Sequence, residues 1–122
     1  MKKLYVVGNK ASKSLSPTIF NYWFRKYNIK ASYGYLELTE KNFHNKIKDV
    51  LEKKDTLGLN VTIPFKNKII KHLGKIDAHA KKIGAVNCVT NKKTINGINT
   101  DWTGYYKTLP NIKQTKNRKV II

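Results

Sequence analysis

Cysteine, arginine, proline and acidic residues are all scarce in this chain of 122 residues, and each shortage excludes something. The single cysteine, Cys88, leaves no internal disulfide to be made, so nothing here calls for an oxidising compartment. No run of 18 apolar residues occurs, which removes a membrane-spanning helix. The first apolar stretch, Leu4–Val7, ends at Gly8 and is too short for the hydrophobic region of a signal peptide. A cytoplasmic location is the expectation. Histidines number three, and His44, His72 and His79 are not spaced as a metal set with carboxylates, so no metal is expected and surface or capping roles are. None of them falls in the loops singled out below, which leaves no Ser-His-Asp arrangement.

What is abundant is lysine. Basic residues outnumber acidic ones 25 to 7, a net charge of +18, yet only Arg25 and Arg118 are arginines. A basic balance supports nonspecific attraction to nucleic acid, but arginine is the usual base reader and the lysines are spread along the chain with no run of six. A specific nucleic-acid partner is therefore not expected. A basic field around a cleft would still speed the arrival of an anionic substrate.

Strand and helix signals alternate. Leu4–Gly8 reads as a first strand; Ser16-Pro17 opens a helix, with Ser16 as cap and Ile19, Phe20, Trp23, Phe24 and Tyr27 as one buried face. Tyr33–Leu38 is a second strand, and Thr39 caps a helix from about Lys41 to Lys53 with Phe43, Ile47, Val50 and Leu51 inward. Leu57–Ile63 is a third strand, ended by Pro64, which has no amide to give the ladder. Lys66–Leu73 and Asp77–Lys82 read as short helices, and Val86–Thr90 and Lys93–Asn96 as a hairpin about Asn91-Lys92 and so an antiparallel edge. Asp101–Leu109 is helical. This order implies one α/β domain with an open, mostly parallel twisted sheet, helices on both faces and one antiparallel hairpin or edge, a three-layer sandwich.

Four loops at strand ends carry polar side chains in a pattern that a core does not need. Gly8-Asn-Lys-Ala-Ser-Lys-Ser-Leu-Ser-Pro17 places Ser14 and Ser16 at a helix start, where free amides and the dipole favour a carboxylate or phosphate, although Ser16 as a plain cap is the competing reading. Gly58-Leu-Asn-Val-Thr-Ile-Pro-Phe-Lys66 puts Asn60 and Thr62 on one strand face and aims Lys66 from just beyond the break. In Ile83-Gly-Ala-Val-Asn-Cys88, Asn87 offers a donor and an acceptor to a hydroxyl, or satisfies nearby backbone. In Gly97-Ile-Asn-Thr-Asp-Trp-Thr-Gly104, Asp101 either caps the next helix or accepts hydrogen bonds from a substrate. Open α/β sheets bind ligands at this edge.

These four motifs, in this order over Tyr5 to Tyr105, resemble the substrate-binding domain of shikimate dehydrogenase. The resemblance implies an enzyme that reversibly reduces 3-dehydroshikimate to shikimate with NADPH, on the route to chorismate and the aromatic amino acids. It implies that Ser14 and Ser16 hold the substrate carboxylate, Thr62 adds a hydrogen bond and Asn87 holds ring hydroxyls. Lys66 and Asp101 would be the catalytic pair, with Asn60 supporting them. Three positions differ from the family's pattern: Lys10 stands where proline is usual, Lys13 where histidine is, and Trp102 where many members have glycine.

Family members continue into an NADP-binding domain that opens on a glycine-rich turn, and a substrate-contacting glutamine comes from their C-terminal region. This chain has no G-x-G-x-x-G, and its last residues, Lys119–Ile122, read as a strand cut short after a polar connector, Pro110–Arg118. The expectation is a substrate-binding domain over residues 1–109, then a connector and the start of a missing nucleotide domain over 110–122, which binds substrate weakly and turns over nothing alone. A homodimer is the assembly considered. The alternative reading is a noncatalytic module that keeps a shikimate-like pocket and lacks the cofactor domain.

Overall fold

The structure is a computed structural model, and it describes residues 1–109. The connector and final strand expected over 110–122 lie outside the described residues. Six strands, β1 (Lys2–Gly8), β2 (Ala31–Glu37), β3 (Thr56–Val61), β4 (Lys75–Ile76), β5 (Cys88–Asn91) and β6 (Ile95–Ile98), form one sheet in the order β2-β1-β3-β5-β6-β4. β1 pairs parallel with β2 and β3, and β4 pairs parallel with β6. Only β5 runs the other way, antiparallel to both of its neighbours.

Alternation along β1 assigns the two faces. Val7 is fully buried on one side, in a cluster with Phe43, Ile47, Phe65 and Ile69. Val6 faces the other, with Ala11 and Tyr33 and, against them, Phe20 and Phe24. The first cluster is roofed by α2 (Phe43–Leu51), whose Phe43, Ile47, Val50 and Leu51 are all buried as their spacing predicts. The second is covered by α1 (Ser16–Lys26). Two shorter helices complete the fold, α3 (Ala78–Ile83) and α4 (Thr100–Thr108), with 3-10 turns at Ala11–Lys13 and Lys68–His72. Among the described residues no helix is long and apolar enough to cross a membrane.

Several expectations are corrected in detail. No residue of α1 is buried: Phe20 and Phe24 pack on the sheet, but Ile19, Trp23 and Tyr27 stay exposed. Periodicity shows which residues share a face, while burial needs something to cover it, and α1 sits over β2, the sheet's edge. Strand β3 ends at Val61: the Thr62 amide donates to the Val7 carbonyl (2.8 Å) as the last rung of the ladder with β1, and Ile63 beyond it is 69% exposed. The helix expected from Lys66 is the 3-10 turn Lys68–His72.

The hairpin is shifted by two residues, closing at Asn91–Ile95 instead of turning on Asn91-Lys92. The Asn91 amide donates to the carbonyls of Leu51 (2.7 Å) and Thr56 (3.1 Å), which draws Asn91 into the ladder and out of the turn. Nor does the hairpin form the edge, since β4, too short to show any period, continues the sheet beyond β6.

Candidate active site

The carboxyl ends of β1, β3 and β6 and the start of β5 meet along one rim of the sheet, because β5 alone is reversed. An open cleft of about 780 Å³ lies there, and its walls include Ser14, Ser16, Asn60, Thr62, Lys66, Asn87 and Asp101. All seven residues picked out from the four loop motifs therefore stand around one space.

Backbone hydrogen bonds stitch the loops together. The Asn9 amide donates to the Ile63 carbonyl, the Val61 amide to Asn87, the Val86 amide to Lys66 (2.7 Å) and the Asn87 amide to Ile98 (3.2 Å), so each motif is tied to another. Phe65, fully buried and stacked on Phe43 with ring centres 4.3 Å apart, anchors the residue before Lys66 in the core. From that anchor the Lys66 ammonium reaches the Asp101 carboxylate at 2.6 Å.

Asp101 is not the helix cap. Asn99 takes that role, its Oδ1 accepting from the Trp102 amide (2.9 Å), and Asp101 is left in the first turn, where the helix dipole favours its negative charge. Ser16 is likewise relieved of capping. It is the first residue of α1, and the Ser14 hydroxyl accepts the Ser16 amide (3.2 Å) without a side-chain cap from Ser16 itself. Asn87 is engaged locally: its amide nitrogen donates to the Thr100 hydroxyl and its oxygen accepts from the Thr100 amide, both at 2.7 Å. One amide hydrogen and one lone pair of Asn87 remain for the cleft.

Sequence reasoning missed three cleft features. Tyr33 is one: nearly fully buried and stacked flat on Phe20 (4.7 Å), it donates its hydroxyl to Asn60 Oδ1 (2.6 Å) and so turns the Asn60 amide nitrogen free. Parity could not have signalled it, since Tyr33 and Tyr35 share one face of β2; Phe20 of α1 covers Tyr33, while Tyr35 is left exposed. The other two are Lys10 and Lys13, which line the cleft themselves, whereas Tyr33 acts on it through Asn60. They had been noted as departures from the family's pattern, without a role.

Burial pushes the Tyr33 phenol up to about 12, helped by the charge of Cys88 and opposed by the nearby Ser16 hydroxyl. A phenol whose folded value is raised stabilises the fold below its ordinary value near 10 and loses that contribution as pH rises through about 12. Base titration followed at 295 nm and by circular dichroism is therefore expected to show one of the seven tyrosines ionising last, together with unfolding. In Tyr33→Phe the late step disappears. Burial also pushes the Cys88 thiol up, which keeps it protonated and unreactive at neutral pH.

Two histidines do more than lie on the surface. His44 Nδ1 and His72 Nε2 are 2.8 Å apart, both edge-on to Phe43, and desolvation with the neighbouring imidazole lowers His72 below its usual value. Among the described residues no group of three or more His, Cys, Asp or Glu is arranged to hold a metal ion.

This arrangement has counterparts. The family model for the shikimate dehydrogenase substrate binding domain matches residues 6–89. The shikimate dehydrogenase (NADP(+)) of Pelagibacter ubique is 38% identical over an alignment covering all of this chain and 47% of that protein. That of Staphylococcus haemolyticus is 41% identical, over 84% of this chain and 38% of its own length. The crystal structure of shikimate dehydrogenase from Aquifex aeolicus superposes with a TM-score of 0.81 at 34% identity, over 89% of this chain and 41% of that one. The Thermus thermophilus enzyme, solved in complex with shikimate, superposes at 0.79 with 28% identity, over 88% of this chain and 41% of that one. This chain thus spans less than half the length of these relatives. By the matched domain and the shared fold, it belongs to the shikimate dehydrogenase family, within that family's substrate-binding domain.

Proposed function

We propose that this chain is the substrate-binding domain, over residues 1–109, of an enzyme that reversibly reduces 3-dehydroshikimate to shikimate with NADPH. The observation that carries this is the convergence of Ser14, Ser16, Asn60, Thr62, Asn87 and the Lys66–Asp101 pair on one cleft. Its volume of about 780 Å³ suits a small polyhydroxylated acid.

In this reading Ser14 and Ser16 take the carboxylate at the start of α1, and Thr62, Asn60 and the spare groups of Asn87 take ring hydroxyls. Lys66 stands at the reacting carbonyl. Reduction of a carbonyl leaves negative charge on its oxygen, and a nearby ammonium both stabilises that charge and donates the proton that quenches it. Asp101, 2.6 Å away, holds the ammonium in place. In the oxidative direction the same pair receives the hydroxyl proton.

The described residues do not fit NADP. The loops after β1, β2 and β3 contain no glycine beyond Gly8 at the end of β1, so no backbone can approach a pyrophosphate as a dinucleotide fold requires. NADP, when bound elsewhere in such an enzyme, supplies the hydride. On this reading the domain works in the cytoplasm, where a thiol such as Cys88 stays reduced.

The test is an amide-resolved NMR titration of the 122-residue chain with shikimate. Saturable shifts are expected at Ser14, Ser16, Thr62, Lys66, Asn87 and Asp101. Unchanged spectra, or shifts scattered away from the cleft, would overturn the proposal.

A further inference from the structure

We propose that Lys10 and Lys13 form the charge-reading part of the substrate cleft, making it selective for a carboxylate over its neutral ester. The inference rests on the shikimate reading above and deepens it.

The two lysines are presented by a built turn. Ala11 between them is buried to 1% exposure, Lys13 and Ser14 donate their amides back to Lys10 and Ala11, and Ser12 is clamped to the Glu37 carboxylate by both its amide (3.0 Å) and its hydroxyl. With Ala11 pinned and Ser12 turned toward β2, Lys10 and Lys13 are the residues of this turn whose cationic side chains line the cleft.

The charge balance there is uneven. Of the cleft's ionisable residues, three are lysines and one is Asp101. Asp101 is paired with Lys66. Among the described residues neither Lys10 nor Lys13 is in an ion pair. Glu37 feels the charge of Lys13, but its nearest partner is Ser12, so it offsets Lys13 only in part.

Two cations thus remain beside Ser14 and Ser16, the residues assigned to the carboxylate. The Ser14 and Ser16 hydroxyls by themselves favour a carboxylate over an ester only modestly, through the ionised acceptor. Two ammonium groups add a Coulomb attraction between opposite charges that the neutral ester lacks. The consequence is a ligand class defined by charge: a cyclic hydroxy acid in its ionised form.

The experiment measures affinities of the 122-residue chain for shikimate and for methyl shikimate by NMR titration, at about 20 mM and about 300 mM salt. For the unmodified chain, shikimate is expected to bind about 10-fold more tightly than the ester at low salt, and about 3-fold at high salt. In Lys10→Gln/Lys13→Gln that ratio is expected to fall to about 2 or less at both salts, with ester affinity unchanged as proof of an intact cleft. Lys10→Arg/Lys13→Arg, which keeps the charge, is expected to retain the preference. A double glutamine variant with the original ratio and salt dependence overturns the inference. Failure of the unmodified chain to bind either ligand overturns the shikimate reading itself.

Discussion

Phe65→Ala is expected to destabilise the fold by about 3–5 kcal/mol, the range for deleting a fully buried aromatic ring. Phe65 has no exposed surface, stacks on Phe43 and belongs to the cluster that joins β1, β3, α2 and the Lys68–His72 turn. Domains of this size are stable by about 5–15 kcal/mol, so one such cavity removes a large share of the total. Urea unfolding followed by circular dichroism checks it. Ile63→Ala is the internal contrast. Ile63 is two residues away and 69% exposed, so its loss is expected to change stability by less than about 0.5 kcal/mol. Similar effects for the two variants would show that the loop after β3 is not anchored through Phe65. The anchor matters for the cleft because Lys66 is the next residue, and a ring removed beneath it frees the ammonium from its fixed approach to Asp101.

The parts of this fold that were legible in the sequence are those with a strong period or a breaker. Alternation through Leu59, Val61 and the polar pair Asn60 and Thr62, ended by Pro64, was enough to place β3 and its polar tip. Four-residue spacing was enough for the buried face of α2. Elements decided by tertiary partners were not legible. The apolar stripe of α1 is real, but the sheet ends beneath it. The hairpin register was moved by Asn91, whose partners Leu51 and Thr56 lie 35 to 40 residues away.

The candidate site divides in the same way. The seven polar residues were recognisable because each sits in a short motif at a strand end. Whether Ser16 and Asp101 were caps was ambiguous, because Asn99 and Asp101 are equally good cap types two residues apart. The geometry of α4 chose Asn99 and left the carboxylate of Asp101 to Lys66. Tyr33 depends on the cover that Phe20 of α1 gives it, and the two cleft lysines on a turn held by Glu37, neither of which leaves a local signature.

Lys66→Ala, in a polypeptide joining this domain to a dinucleotide-binding domain, is expected to lower kcat by about 10²–10⁴-fold, the usual contribution of a positioned proton donor. Shikimate affinity should fall by less than about 10-fold, because in the proposed binding mode the carboxylate and ring hydroxyls keep their partners on Ser14, Ser16, Thr62 and Asn87, all of which line the cleft. The asymmetry follows from when the interaction forms. A ketone oxygen carries little charge, so the ammonium gains most after hydride has arrived, and binding gains little from it. Equal losses in kcat and affinity would instead mark Lys66 as a binding residue. Asp101→Asn should reproduce much of the kcat loss, since the ammonium then lacks the carboxylate that holds it at 2.6 Å. If the two act as a unit, the double variant loses far less than the product of the single losses. Multiplying losses would assign them separate roles, with Lys66 at the carbonyl and Asp101 on a neighbouring hydroxyl.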